Sequence, residues 1–329
     1  MENKKIKLGQ FFTVKKLWLK PQIIDFIKKQ NKEIAYDPFA GNGDLLNLAK
    51  EDLNFKKIQG LDIDSTLSWE INDSLKNIPI VANSLIITNP PYLSKQSAKR
   101  KKINMDDYFK LSTYDDIYLI ALEKMLQTNL PVVAIIPESF INSNFKLKNY
   151  LSSITIIEDE IFSDTENPVI VACFDNKDKT NNEILVYKND IFIDNLANIL
   201  KIRLKPKNNI EIKFNDLNGW LGIKAVDGIK ENKDIKFDFP SNINYDWKNK
   251  ITISSRHYSL IAIEIKEHLK LKLINQANKI LKDLREKSSD IILTPFKGNN
   301  KFGNRRRRLD FNLCRAILEE AYMQIKEEK

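Results

Sequence analysis

Ile34-Ala35-Tyr36-Asp37-Pro38-Phe39-Ala40-Gly41-Asn42-Gly43-Asp44 decides the fold class of this chain. The first four residues form a short run that reads as a strand and ends on an acid. A glycine turn follows, and then a helical pattern through Leu45, Leu46, Leu48 and Ala49. Strand, glycine turn and helix make the first unit of a Rossmann-like α/β sheet. The turn lacks Gly-x-Gly-x-x-Gly and the closing Gly-Lys-Ser/Thr of a phosphate loop. Asp37 would repel a pyrophosphate but suits a cationic or amino-bearing ligand, so the turn points away from NAD and ATP.

Outward from that unit the same logic repeats. Lys57 to Asp62 is a second strand ending in acid, and Asp62 stands about twenty residues beyond the turn, where a carboxylate accepts hydrogen bonds from ribose hydroxyls. Trp69 to Leu75 supplies a short edge strand with Asp73 at its end, or else an ordinary Asn-Asp-Ser turn. Leu85-Ile86-Ile87-Thr88 reads as a buried parallel strand, and Asn89-Pro90-Pro91-Tyr92 ends it. Two prolines cannot continue a central strand, since each lacks an amide donor and restricts the residue before it. The chain leaves the sheet there in one stiff conformation, with an amide just before the prolines and an aromatic ring just after. Taken alone, these four residues are equally a plain loop with a capping Asn and a packed Tyr.

Lys95 to Lys102 is polar, basic and without periodicity, which predicts a mobile loop beside the strand end. A helix is predicted over Asp115 to Leu126, and strands over Pro131 to Pro137, Ser152 to Ile157 and Val169 to Phe174. Near the start, Phe12 and Thr13 precede a helical pattern broken at Pro21; they read as a hydrophobic staple and N-cap or as the wall of a ligand pocket. The strand–helix alternation persists to about residue 175 and predicts a complete domain over residues 1–175. The polar bridge from Asp175 to Asn182 then marks a boundary. Residues 176–329 are expected to form a second domain, with short strands at Ile184 to Tyr187, Ile210 to Phe214 and Ile251 to Ile253. A long amphipathic helix is predicted from Tyr258 to Lys287, and another from Leu309 to Ile325.

Hydrophobic residues are 42% of the chain and charged residues 29%, a globular balance that excludes a disordered chain. No apolar run is long enough to cross a bilayer, and Met1-Glu2-Asn3-Lys4-Lys5 leads into a polar segment without a signal-peptide core. The expectation is a soluble, cytoplasmic protein with no membrane contact. With 2 cysteines far apart and 2 histidines, neither a disulfide framework nor a Cys/His metal site is expected. The net charge of +9 favours a polyanionic partner. Lysines are scattered throughout, so the local clusters carry more meaning. Lys99, Arg100 and Lys101 follow the proline turn, Arg203 lies between Lys201 and Lys207, and Lys297 leads into Arg305-Arg306-Arg307-Arg308.

Together, Asp37 to Gly43 and Asn89 to Tyr92 resemble the motif pair of S-adenosylmethionine-dependent DNA methyltransferases, in particular the N6-adenine enzymes of type II restriction-modification systems. The motif order, with a target-recognition domain at the C-terminus, is similar to the gamma arrangement. The resemblance covers roughly residues 8 to 175; its one departure is the short interval from Asp62 to Asn89. It implies a Rossmann-like methyltransferase sheet, S-adenosylmethionine as cofactor and double-stranded DNA as partner. Phe12 and Thr13 would close over the methionine part of the cofactor. Asp37, Phe39, Ala40, Gly41 and Gly43 would line its amino-acid end, Asp62 would take the ribose, and Asp73 would face the adenine amine. Asn89, with the Pro90 carbonyl stiffened by Pro91, would hold the target nitrogen. Tyr92 would stack on the flipped base, with Phe174 on its other face and Phe162 and Phe140 as alternatives. Lys99, Arg100, Lys101, Arg203, Lys297 and Arg305 to Arg308 would contact DNA, in a short recognition sequence such as the four-base CATG. No metal is required. A monomer is expected, with a cognate restriction endonuclease acting on the same site without a stable complex. The rival readings are an N4-cytosine enzyme, a ribosomal RNA adenine enzyme, a protein glutamine methyltransferase and a catalytically silent DNA-binding protein.

Overall fold

The computed structural model describes residues 16–159, 161, 167–231 and 233–327. The chain divides into two compact units, one ending at Leu196 and one beginning at Ala197. No helix among the described residues is long and apolar enough to cross a membrane.

A single mixed sheet organises the first unit. Its strands in chain order are β1 (Ile34–Asp37), β2 (Lys57–Asp62), β3 (Glu70–Ile71), β4 (Ser84–Thr88), β5 (Val132–Pro137), β6 (Leu151–Ile157), β7 (Val169–Phe174), β8 (Leu185–Lys188) and β9 (Ile191–Asn195). They lie in the order β3-β2-β1-β4-β5-β7-β6-β8-β9. Strands β3, β2, β1, β4 and β5 run parallel, and β7 is antiparallel to both β5 and β6. The central strands are buried along their length, Leu85, Ile86 and Ile87 completely so, which is why their sequences are unbroken apolar runs rather than alternating ones. The polar bridge after Phe174 connects β7 to β8, and β8 pairs in parallel with β6.

Helix α1 (Pro21–Gln30) begins with its proline at the first turn, where the missing N–H has no partner to lose. It buries Ile23, Phe26 and Ile27 at helical spacing. Helix α2 (Asp44–Asp52) starts from Gly43 and buries Leu45, Leu46 and Ala49. These two helices pack with β1, β4, β5 and β7 into one apolar cluster around Trp18, Ala35, Leu85 and Val133.

The loop expected over Lys95 to Lys102 is instead a helix, α3 (Lys95–Lys101). The Ser94 hydroxyl caps it by accepting from the Ser97 N–H at 3.2 Å, Ala98 is buried beneath it, and Lys102 closes it in the left-handed conformation. A helix this short carries one apolar contact and so shows no periodicity in the sequence. The short α4 (Asp106–Lys110) and the almost wholly buried α5 (Ile117–Gln127) complete the return to β5.

The second unit holds an antiparallel sheet of β10 (Ile212–Phe214), β11 (Leu221–Lys224), β12 (Lys236–Asp238) and β13 (Tyr258–Ile263), in the order β10-β13-β11-β12. It also contains a hairpin of β14 (Thr294–Asn299) and β15 (Arg305–Arg308). Its helices are α6 (Leu196–Ile202), which begins at the last residue of the first unit, α7 (Trp247–Lys250), α8 (Lys270–Lys287) and α9 (Phe311–Glu327). Two expectations fail here. Ile251 to Ile253 is not a strand and runs into a turn. The helix expected from Tyr258 begins only at Lys270, because Tyr258–Ile263 pairs on both sides, with β10 and with β11. Apolar residues at steps of four match a helix and every second step of a strand alike, so Ile261 and Leu269 looked continuous.

Candidate active site

From β1 the chain winds outward through β2 to β3, then returns to lay β4 and β5 on the other side of β1. Ligands of such sheets sit beyond the carboxyl ends of the strands at this reversal. Asp37 is the last residue of β1 and Asn89 the first after β4. The Thr88 hydroxyl ties the two strand ends together by donating to Asp37 Oδ1 at 2.6 Å, and the Phe39 N–H donates to the same oxygen at 2.9 Å. Asp37 is buried. Burial raises its pKa to about 7, with Asp62 adding to the rise and the two hydrogen bonds opposing it. A buried carboxylate of this kind gains from a cationic ligand group placed beside it.

The turn after Asp37 is held from β2. The Ala40 N–H donates to the Leu61 carbonyl at 2.9 Å, the Gly41 N–H to Asp62 Oδ2 at 2.8 Å, and the Asp64 N–H to Asp62 Oδ1 at 2.9 Å. Each Asp62 oxygen thus accepts a backbone donor and has a further lone pair for a ligand hydroxyl. Gly41 and Gly43 adopt φ of 52° and 84°, the left-handed region. A side chain at Gly41 would meet nothing within 4 Å, so the turn is open on that side. Ala40 is buried in the core and Phe39 is half-buried.

Trp69 is the residue that the sequence reading missed. Its indole N–H donates to the Gly41 carbonyl at 2.9 Å. Its ring lies 2.5 Å from where a Cβ would stand at Gly43, and equally 2.5 Å from one at Gly60. Neither glycine leaves room for a side chain beneath the indole. The only sequence signal was a tryptophan in an otherwise polar stretch. Asp73, farther along, accepts a hydrogen bond from the Tyr108 hydroxyl at 2.9 Å and pairs with Lys76 at 3.1 Å.

Beyond β4, Pro90 is buried and Asn89, Pro91 and Tyr92 are half-buried. The Tyr92 hydroxyl bonds to the Asn89 side chain and to the Ile135 carbonyl, the latter at 2.7 Å. Its ring packs against the core and meets Tyr118 edge-on at 6.4 Å. The turn is fastened further on, where the Ile117 N–H donates to Leu93 at 3.0 Å and the Lys95 N–H to Asp115 at 2.8 Å.

Phe174 does not stand with these residues. It pairs with Val132 at the start of β5, whereas Tyr92 reaches Ile135 towards its end. Its ring is fully buried and packs edge-on against Phe140, also fully buried, at 6.3 Å. Both are core rings with no face left for a base. Phe12, Thr13 and Phe162 lie outside the described residues.

Lys99, Arg100 and Lys101 are exposed on the last turn of α3, where cations also complement the helix dipole. In the second unit, Lys297 is exposed. Arg203 is engaged within its own unit, pairing with Asp310 at 2.8 Å and donating to the Ile292 carbonyl at 2.8 Å. The four-arginine run splits: Arg305 and Arg307 are 5% and 0% exposed, while Arg306 and Arg308 are half-buried. Alternation along β15 turns every second side chain inward, which corrects the expectation that all four face DNA.

Residues 14–167 match the Eco57I restriction-modification methylase family. Among solved structures, the chain is similar to the type I restriction-modification methyltransferase subunit from Streptococcus thermophilus, at 18% identity over 59% of this chain and 53% of that one, with a TM-score of 0.39. It is similar also to a putative class I S-adenosylmethionine-dependent methyltransferase from Listeria monocytogenes, at 13% identity over 51% of this chain and 62% of that one, with a TM-score of 0.37. The M protein of the type I restriction enzyme EcoKI is 14% identical over 97% of this chain and 71% of its own, with a TM-score of 0.37. The chain therefore spans less than two thirds of the first two. No curated protein matches it.

Proposed function

We propose that this protein transfers a methyl group from S-adenosylmethionine to the N6 amine of adenine in double-stranded DNA, within a restriction-modification system. The observation that carries the reading is the junction of Asn89 with Asp37 through Thr88 at the sheet reversal. It sets an amide–proline turn beside a buried carboxylate in a segment of the methylase family.

The residues present suit the cofactor. Asp37, buried and short of positive charge, fits an ammonium group; the open side of Gly41 admits a ligand close to the backbone; Asp62 retains acceptor capacity for hydroxyls. Asp73 would exchange its Tyr108 or Lys76 partner for an adenine amine. When bound, S-adenosylmethionine supplies an electrophilic methyl on a sulfonium that already carries its leaving group, so no metal enters.

The chain's own residues then act on the amine. An adenine N6 is a poor nucleophile because its lone pair is delocalised into the ring. Acceptors at the Asn89 side chain and the Pro90 carbonyl would accept hydrogen bonds from its two N–H groups, favour a pyramidal nitrogen and hold it in line for transfer; the nitrogen, cationic once the methyl has left the sulfonium, then loses one proton to solvent. Tyr92 contributes more than a ring. Its hydroxyl has one proton, which the Ile135 carbonyl accepts. An Asn89 amide turned so that Nδ2 donates to the Tyr92 oxygen would aim Oδ1 away from Tyr92. The base must leave the duplex to reach this turn. Lys99, Arg100 and Lys101 beside it would steady the phosphates. A short target such as CATG, a separate cognate endonuclease and a monomeric enzyme belong to the same reading.

The test is incubation with labelled cofactor and mixed-sequence DNA, followed by nucleoside analysis. Labelled N6-methyladenine is expected; N4-methylcytosine or label in protein would replace the assignment. Asn89→Ala should abolish transfer while cofactor affinity stays within about threefold, as for a group acting only on the transferring centre; retained turnover sinks the role given to Asn89.

A further inference from the structure

The alternation along β15 leaves a specific cationic feature on the second unit. Arg308 and Arg256 line a cavity of about 160 Å³, together with Leu309, Asp310, Phe311 and Asn312. Beside it, the Arg306 guanidinium lies 4.9 Å from the Phe296 ring centroid and donates through Nε to the Asp227 carbonyl at 2.9 Å. His257 meets the same ring edge-on at 5.1 Å. Arg306 is thus held in place by an aromatic face and a neutral oxygen, with its charge left over.

Two other arginines of this unit are matched by carboxylates. Arg285 pairs with Asp227 at 2.8 Å and with Asp290 at 2.7 Å, and Arg203 pairs with Asp310 at 2.8 Å. Among the described residues, Arg256, Arg306 and Arg308 have no carboxylate within the 4.0 Å of an ion pair. Asp310 borders the cavity, and its two oxygens already accept from Arg203 at 2.8 Å and from the Leu313 N–H at 3.0 Å. Burial and then the neighbouring Arg256 make the Arg308 cation harder to keep charged, with Asp310 opposing them. Burial, Arg308 and Arg306 do the same to His257, which lowers its pKa and disfavours a further cation here. Like charges gathered round one cleft that Asp310 offsets only in part repel one another, and an anion placed between them relieves that cost.

We propose that the cleft between Arg256 and Arg308, with Arg306 at its side, is a phosphodiester-binding site by which the second unit grips the backbone of duplex DNA. The site rests on the DNA part of the function proposed above. It replaces the uniform four-arginine contact of the sequence by two residues of that run and one, Arg256, from elsewhere in the unit. Arginine suits the role because its planar fork bonds two phosphate oxygens at once. Such contacts set the grip and the register of a protein on DNA and carry no base sequence.

The experiment is a fluorescence titration of the full-length protein with a short mixed-sequence duplex across a series of salt concentrations. Each phosphate contact contributes about 0.9 to the slope of log affinity against log salt. Arg256→Gln with Arg308→Gln should lower that slope by about 2 and weaken binding at low salt by about tenfold or more. Arg256→Lys with Arg308→Lys should restore most of the slope. Calorimetric affinity for S-adenosylmethionine should not change in either. An unchanged slope in the Gln pair, in a protein that still methylates DNA, overturns the cleft alone. A wild-type protein that binds S-adenosylmethionine but no duplex overturns the cleft and the DNA substrate together. Should the Gln pair lose its thermal transition, the exposed Arg256→Gln alone carries the test, with a slope reduced by about 1.

Discussion

Asp37 is the residue at which fold and proposed chemistry oppose each other most directly. Burial raises its pKa from 3.8 to about 7, so the folded protein without ligand binds a proton there more tightly than the unfolded chain does. Its contribution to stability is therefore fully present below pH 3.8 and is lost as pH rises through about 7. Replacing it by Asn should make the ligand-free protein more stable at about pH 8 by on the order of a few kcal/mol, with the difference shrinking towards about pH 5. Urea denaturation of both proteins across that range measures it. Cofactor binding should run the other way: the Asn variant binds S-adenosylmethionine more weakly, and wild-type affinity falls as pH drops below about 7. Calorimetry showing a flat pH profile would remove Asp37 from contact with the ammonium group. Tyr92 offers a second separation. If its hydroxyl orients Asn89, Tyr92→Phe should cut kcat by about tenfold while leaving the KM for the cofactor unchanged; a ring that only stacks would tolerate the change.

Among elements, the glycine turn is built against a tryptophan from the edge of the sheet. Trp69 bonds the Gly41 carbonyl and fills the space over Gly43 and Gly60. Gly60→Ala should cost about 1–3 kcal/mol, the usual penalty for overpacking, read from the shift of the denaturation midpoint. Gly43→Ala should cost more, because its φ of 84° adds backbone strain to the clash. Trp69→Phe keeps a ring in place but removes the donor to Gly41, so it should weaken cofactor binding by a few-fold with a smaller effect on stability. A variant with native cofactor affinity would mean that the turn holds its shape without the indole. The hairpin of β14 and β15 makes a comparable point: four identical side chains in a row receive two different environments, because a strand presents successive residues to opposite sides.

At the scale of the whole molecule, each unit has its own buried polar centre. In the second unit, Arg285 takes Asp227 in a two-pronged contact at 2.9 and 2.8 Å and Asp290 at 2.7 Å, while the Arg307 N–H donates to Asp227 at 3.0 Å. The three charged residues are at most 6% exposed. Asp227→Ala leaves Arg285 buried without its main partner and should destabilise the second unit by about 3–5 kcal/mol. The affinity for S-adenosylmethionine, assigned to the first unit, should persist under conditions where the second has begun to unfold. Loss of both in one transition would show that the two units fold as one.

The sequence by itself determined the parallel half of the first sheet and the residues at its reversal. Apolar strands ending in Asp37, Asp62 and Asn89 are local patterns, and buried central strands must be continuous apolar runs. The Asn-Pro-Pro-Tyr turn was legible for the same reason, since two prolines dictate conformation without help from the rest of the chain. Tertiary structure alone decided the remainder. A helix of seven residues over Lys95–Lys101 depends on one cap and one buried alanine, and β13 became a strand because it found partners on both sides. Nothing in the order of residues says that Trp69 lies across Gly43 and Gly60, that Phe174 points into the core, or that Arg256 joins Arg306 and Arg308. Those are meetings between distant segments, set by how the elements pack, and local periodicity carries no record of them.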